Sequence, residues 1–398
     1  MVEICGLNNL QHVDWDFVDA KTNLVTHGVH PYPAKFIPQI PYRLIQELTN
    51  VGDIVGDIFC GSGTTLAEAI MLGRSAVGVD ANPLACMITR TKTSRITNEH
   101  ATALQILADK AHVMGESLNF NDTNSLISQY PFVSDAWRPE YEKLTFWFPE
   151  HVIEELAEIR QWCAKLPDEI ARDLGNTAFS SIIVSVSRQD SDTRYVRRGK
   201  NIQPGDTFKR FARALDKSIR QAHDFTTLAQ PSCSSHVVQG NLLDEPNIPQ
   251  LDLMVCSPPY PNAYSYHLYH MTRMLWLGMD QPKFKREEIG SHRKYSSNGK
   301  NAATVETFKV EFTKILVWLS KHLKQGGYAC FIVGDSTLKG QRINNADLIS
   351  DAGRTAGFSE VSRLSRNMQS TKKAFNPAIG KIKTEDILIL ENRGSMQQ

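Results

Sequence analysis

The chain has 398 residues, 41% of them hydrophobic, and a formal net charge of +1. That length buries a substantial core, either as one large domain with an insertion or as two domains. No run approaches the roughly 20 apolar residues of a membrane span, and the N-terminus lacks a basic-then-apolar signal, so no membrane partner and a cytoplasmic location are expected.

In chain order, Ile40-Pro41-Tyr42-Arg43-Leu44-Ile45-Gln46-Glu47-Leu48 reads as an amphipathic helix ending near Gly52. Ile54 to Phe59 reads as a strand, followed by a glycine turn, a helix from Thr65 to Leu72 and a second strand from Ser75 to Asp80. This β-α-β unit implies a parallel sheet with a right-handed crossover. Residues 98–232 interrupt it with mostly helical periodicity, as in Val152 to Ile159, and read as an insertion. The α/β pattern resumes at Val237-Val238, and Leu251 to Cys256 forms an apolar run that reads as a buried strand. Tyr328 to Val333, after the turn Gly326-Gly327, and Ile387 to Leu390 are the last strands. The expected organisation is therefore 1–97, an insertion 98–232, and 233–398.

The seven cysteines (Cys5, Cys60, Cys86, Cys163, Cys233, Cys256, Cys330) form no CxxC pair. This fits a reducing compartment and argues against a structural zinc site. His267 and His270 are three apart, yet nothing beside them completes a metal set; they read as an aromatic-rich wall, and no metal is expected. The near-neutral total charge hides two basic segments. Arg188 to Arg220 holds ten Lys/Arg against four Asp, and Lys283 to Lys300 six against two Glu. Each reads either as a solvated face or as a phosphate-contacting loop.

Asp57-Ile58-Phe59-Cys60-Gly61-Ser62-Gly63-Thr64-Thr65 is a strand-to-helix glycine turn. Its glycines let a ligand approach the backbone, and the helix N-terminus favours an anion. A P-loop needs a Lys that does not follow Gly63, and a dinucleotide turn needs a glycine where Leu66 stands. Asp57 would moreover repel a pyrophosphate. A zwitterion with an α-amino group, such as S-adenosylmethionine, suits Asp57 beside a helix end. Asp80 is placed to accept from ribose hydroxyls, or to cap the helix before Pro83; Thr64 and Thr65 read as caps as well as carboxylate contacts. The strand Leu251–Cys256 ends in Ser257-Pro258-Pro259-Tyr260, where open α/β sheets bind ligands. Two prolines stiffen the turn and leave free carbonyls, and a hydroxyl and an aromatic ring flank them. The set reads as a clamp for a planar group bearing an NH2.

These residues together resemble the site-specific amino-group DNA methyltransferases, in particular those acting on cytosine N4. The glycine turn, the strand ending at Asp80 and the Ser-Pro-Pro-Tyr motif carry the likeness, over about residues 22–95 and 235–395. Upstream, Thr26-His27-Gly28-Val29-His30-Pro31-Tyr32-Pro33-Ala34-Lys35-Phe36 resembles the segment that folds over the methionine end of the cofactor. The resemblance implies an α/β, Rossmann-like methyltransferase fold, with a mixed, mostly parallel sheet and a largely helical insertion. It implies S-adenosylmethionine as cofactor, held by Lys35, Phe36, Asp57, Phe59, Cys60, Gly61, Ser62, Gly63, Thr64, Thr65, Asp80, Ala81 and Asn241. Gly240-Asn241 stands where the family has the Gly-Asp that contacts the cofactor's adenine, a role Asn241 can fill through its side-chain carbonyl, with Asp244 three residues on. Ser257, Pro258, Pro259 and Tyr260 become catalytic, Ser257 Oγ and the Pro258 carbonyl accepting from the target amine while Tyr260 stacks on a base flipped out of duplex DNA. Ser rather than Asp or Asn before Pro-Pro-Tyr favours cytosine N4 over adenine N6; an RNA amino-methyltransferase is the nearest enzymatic rival, and a non-catalytic DNA- or cofactor-binding protein is the alternative from another class. DNA contacts are expected from Arg188, Arg194, Arg197, Arg198 and Lys200 in the insertion, Arg293 and Lys294 in the basic loop 283–300, and Lys372 and Lys373. Duplex DNA is the expected partner, and the resemblance also admits a cognate restriction nuclease. Cytosine C5 chemistry is not expected: no Pro-Cys pair exists, and Cys256 alternates to the face opposite Ser257. Asp335 either lines the pocket or caps a helix.

Overall fold

A computed structural model describes residues 5–118, 135–261, 264–295, 303–368 and 384–394. Seven strands form its main sheet: β1 (Ile54–Asp57), β2 (Ser75–Asp80), β3 (Ser235–Gln239), β4 (Leu251–Cys256), β5 (Leu323–Gly334), β6 (Phe358–Asn367) and β7 (Thr384–Asn392). Their spatial order is β3-β2-β1-β4-β5-β7-β6. β1 to β5 pair in parallel, whereas β7 runs antiparallel between β5 and β6. The chain thus starts at the centre, winds to one edge, returns and winds to the other. The switch point between β1 and β4 is where such sheets hold ligands, and it brings the glycine turn and the Ser-Pro-Pro-Tyr segment side by side.

Both faces of the sheet are covered, which explains its near-continuous apolar strands. Leu253 and Val255 of β4 face one side, packed with Leu44 and Ile45 of helix Gln39–Leu48 and Leu66 of helix Thr64–Met71. Met254 and Cys256 face the other, against Phe312 and Leu316 of helix Val305–His322 and Ile349 of helix Asn345–Thr355.

The strand expected to run to Phe59 ends at Asp57, and the helix expected from Thr65 begins at Thr64. The Gly326-Gly327 turn lies within β5, as an irregularity between the pairs Leu251↔Leu323 and Leu253↔Tyr328; Gly326 takes φ +80° and Gly327 lies against the Asp252 carbonyl. β6 had no sequence signal: of its ten residues only Phe358 and Arg366 are buried.

Between β2 and β3 stand four long helices: Asn98–Ser117, Glu150–Ala164, Glu169–Val186 and Asp206–Leu228. Their apolar faces form a third core with Leu84, Met87 and Ile88 of helix Pro83–Thr93 and with Trp276 and Leu277, which follow β4. Fully buried Glu155 fixes the start of the last helix by accepting from the Gly205 and Thr207 N–H groups at 2.7 and 3.2 Å, a carboxylate on a helix N-terminus. The insertion also holds an antiparallel hairpin, Gln189–Ser191 with Arg194–Arg197, where the sequence read only a loop.

Candidate functional site: a glycine turn facing a proline clamp

β1 hands the chain to the turn Phe59-Cys60-Gly61-Ser62-Gly63. Both glycines have positive φ, +48° and +73°, and a Cβ on Gly63 would stand 2.7 Å from Thr89 Cγ2. Asp57 at the end of β1 is buried, and its Oδ1 accepts from the Phe59 N–H at 3.1 Å. Burial pushes its carboxyl up to about 7; hydrogen bonds from Thr65 and Phe59 oppose the rise and the charge of Asp80 adds to it. It makes no ion pair among the described residues. Asp80 closes β2, its Oδ2 accepting from the Gly61 N–H and its Oδ1 from the Asn82 N–H, both at 2.8 Å. Burial raises it to about 6 against those two bonds. The Thr65 hydroxyl donates to the Val255 carbonyl of β4 at 3.2 Å, tying the turn to the strand before the clamp. Phe59 stacks on Phe312, and Cys60, Ser62 and Thr64 are buried within the turn.

Ala81, Gly240, Asn241, Asp244, Lys283 and Glu287 line a cleft of about 240 Å³ beyond Asp80. Asn241 spends its side-chain carbonyl on the Leu243 N–H at 3.1 Å. Of the two carboxylates in this cleft, Glu287 is paired with Lys283 at 3.9 Å and Asp244 is exposed.

The upstream segment reaches the turn by a residue that sequence reasoning missed. Lys35 donates to the His27 carbonyl at 2.6 Å, and Phe36 packs on the core under helix Gln39–Leu48. Tyr32 instead lies over Gly61, where a Cβ would meet its ring at 3.5 Å, and its hydroxyl accepts from Asn82 Nδ2 at 3.4 Å. Its ring stacks on Tyr266 and tilts against His270, with centroids at 5.8 and 5.0 Å. Ala34 at φ +56° bends the chain between Tyr32 and Lys35. Below the turn, buried His27 and Glu68 meet at 2.7 Å, and buried Lys92 donates to Ser62 Oγ at 3.4 Å. Desolvation lowers the imidazole and raises the carboxyl, so the pair is held neutral.

At the clamp, the Tyr260 hydroxyl accepts from the Gly334 N–H at 3.1 Å, donates to the Ile332 carbonyl at 3.5 Å, and shares a hydrogen bond with Ser257. Its ring is thereby fixed beside Ser257. Gly290, at φ +72°, packs so closely that a Cβ would lie 2.5 Å from the Tyr260 carbonyl. Cys256 is fully buried on the opposite face and its thiol is pushed well up by desolvation. His267 pairs with Glu288, whose other oxygen accepts from the Tyr266 N–H at 2.6 Å, so both side chains organise the aromatic wall. No metal-binding group occurs among the described residues. Asp335 is paired with Arg342 at 2.7 Å, Nε to Oδ2.

The basic residues divide. Arg188 and Arg197 donate to the carbonyl of Phe146, at 3.3 and 3.2 Å, and Lys200 to that of Val184 at 2.6 Å. Exposed Arg194 and Arg198 share Asp190, at 3.4 and 3.3 Å. Lys294 donates to the carbonyls of Arg286 and Glu288, whereas Arg293 is exposed and its charge reaches Tyr195 of the hairpin. Lys372 and Lys373 lie outside the described residues. No described helix is long and apolar enough to cross a membrane.

Residues 9–91 match a family model described as DNA methylase. The chain is 25% identical over 281 residues to the Type II methyltransferase M.MvaI of Kocuria varians, covering 66% of this chain and 60% of that one. It is 38% identical over 88 residues to the Type II methyltransferase M.MjaII of Methanocaldococcus jannaschii, covering 21% and 17%. It thus spans less than two thirds of these curated relatives. A TehB-like SAM-dependent methyltransferase structure from Corynebacterium glutamicum aligns over 88% of this chain and 86% of that one, at 8% identity and TM-score 0.31. The family match covers the glycine turn, Asp80 and the Tyr32 segment, and with the curated relatives it makes this chain similar to DNA amino-methyltransferases over that stretch.

Proposed function

We propose that the protein transfers a methyl group from S-adenosylmethionine to the exocyclic amine of a base flipped out of duplex DNA, with cytosine N4 as the target. The observation that carries this reading is the adjacency of two complementary half-sites. β1 and β4 are neighbours, and the Thr65 hydroxyl is bonded to the strand that ends in Ser257.

The cofactor that the family implies fits this turn. A buried carboxylate with a raised pKa and no ion pair among the described residues suits an ammonium group. Asp80 keeps free lone pairs for ribose hydroxyls beyond its two backbone bonds. The Gly61 and Gly63 backbone suits close approach of the ligand at a helix N-terminus. Asp244 in the cleft suits an adenine amine, a role the sequence assigned to Asn241. When bound, the cofactor supplies an electrophilic methyl on a sulfonium.

The chain's own residues do the rest. An amine conjugated to a pyrimidine ring is a poor nucleophile. Ser257 Oγ and the Pro258 carbonyl accept its two hydrogens and draw the nitrogen toward tetrahedral geometry, freeing the lone pair. Positioning of this kind contributes up to about 7–11 kcal/mol in favourable cases. Serine is too weak a base to act first, so the amine's proton leaves to water after the C–N bond forms and the S–C bond breaks. Tyr260, held by Gly334, and the wall of Tyr264 and Tyr266 offer faces for the base. Buried Cys256 is no nucleophile here.

The test is incubation with labelled cofactor and plasmid DNA or RNA, digestion to nucleosides and identification of the product. N4-methylcytosine from DNA is expected. N6-methyladenine from DNA would overturn the cytosine assignment, and label in RNA alone would overturn DNA as substrate.

A further inference from the structure

The basic segment Arg188–Arg220 has a part that the clamp and cofactor turn do not use. Helix Asp206–Leu228 presents Arg210, Arg213, Lys217 and Arg220 to solvent, all four exposed. Their spacings of three, four and three residues set them on one helical stripe. From Arg210 to Arg220 the helix rises about 15 Å at 1.5 Å per residue. Phosphates on one DNA strand recur about every 3.4 Å of helix axis, so that length faces several of them.

The stripe's guanidinium groups are also unpaired among the described residues. Lys217 donates to the Gly28 carbonyl at 2.6 Å, fastening the helix to the segment that leads to Tyr32. Arg210, Arg213 and Arg220 make no hydrogen bond or ion pair among the described residues. Two of the helix's three acidic groups are engaged elsewhere, Asp216 with His112 at 2.8 Å and Asp206 with the Gln203 N–H at 3.0 Å, and the third, exposed Asp224, stands one turn beyond Arg220 at the end of the stripe. The hairpin arginines that the sequence singled out spend themselves on Phe146 carbonyls or on Asp190. Arg210 and Lys200 line one cleft with Asp190 and Asp192. Through that cleft the stripe continues to the hairpin, which is held to the segment after the clamp by Gln189 on the Tyr269 carbonyl, at 3.2 Å, and by Arg273 on Asp192.

We infer that the Arg210–Arg213–Arg220 face is a contact surface for the phosphate backbone of duplex DNA beside the target base. The inference rests on the DNA methyltransferase reading. Guanidinium groups suit it because their planar forks pair with phosphate in a bidentate way. The contact carries no sequence information; it holds the duplex in register.

The test compares the full chain with the triple variant R210Q/R213Q/R220Q for binding a random 30-base-pair duplex between 50 and 200 mM salt. Each lost phosphate contact lowers the log–log salt slope by about 0.9, so three lower it by about 2.7. Over this fourfold salt range the wild type's affinity loss then exceeds the variant's by about 40-fold. Donor affinity measures whether the variant is folded, since Gln is a good helix former. A charge-matched control, K314Q/K321Q/K339Q, removes three exposed lysines elsewhere, and its slope is expected to equal the wild type's. An unchanged slope in the triple variant, or an equal change in the control, overturns the inference while leaving a DNA-methylating wild type intact. A wild type that binds duplex RNA and not DNA overturns both this inference and the function it rests on.

Discussion

Replacing Asp57 with Asn tests the cofactor site through its proton. In the free protein burial holds the Asp57 carboxyl at about 7, so near neutral pH it is partly protonated. An ammonium ligand needs the ionised form and pulls the pKa down on binding, so donor affinity rises with pH and binding releases a proton. With a free pKa of about 7 and a bound value well below 6, the ionised fraction changes about tenfold between pH 6 and pH 8, or about 1.4 kcal/mol of affinity. At pH 6.5 about 0.8 proton is released per donor bound. Calorimetric titration in two buffers of different ionisation enthalpy counts that proton directly. In Asp57→Asn the affinity falls and the Asp57 share of the proton disappears. The sign for stability is opposite to that of an ion-paired carboxylate. The folded pKa lies above the ordinary value of 3.8, so this group costs the donor-free protein stability as pH rises from about 4 to 7, and the donor's stabilising effect grows over the same interval. Donor binding with no proton release and no pH dependence would refute the pairing of Asp57 with a cation.

Ser257→Ala is expected to keep donor affinity and lose turnover by about a hundredfold, the scale of misplacing a reacting group; single-turnover methylation of plasmid DNA reads it. Gly63→Ala puts a methyl 2.7 Å from Thr89 Cγ2 at φ +73°, costing about 1–2 kcal/mol from the left-handed backbone alone and more from the clash; denaturant unfolding and donor titration should both show the loss. Cys256→Ala should still methylate DNA, because that thiol is buried on the far face; loss of activity in a folded variant would bring cysteine chemistry back.

The parts legible in the sequence were those fixed by local pattern. Leu251 to Cys256 is legible as a strand because both its faces are covered, so every position but Asp252 is apolar, and the turn after β1 is marked by glycines at positive φ. What was hidden depends on distant partners. Nothing local ranks Tyr32 above Lys35 as the residue that reaches the turn; the bend at Ala34 and the stack on Tyr266 decide it. β6 is an edge strand of mixed Ser, Glu and Arg residues held by β7, so it carries no alternation to read. Among the basic residues charge was legible but pairing was not, and pairing separates Arg188 from Arg213.

The third core constrains how the insertion can be exchanged. Helix Pro83–Thr93 and Trp276 share that core with the inserted helices, so the insertion is no detachable cassette. Exchanging residues 98–232 for those of a relative would uncover Leu84, Met87, Ile88 and Trp276, at about 1.5–3 kcal/mol for each large apolar side chain. Change in the insertion, by evolution or by an engineer, is thereby steered toward its outer surface, with its inner face kept as the mould into which helix Pro83–Thr93 and Trp276 are set.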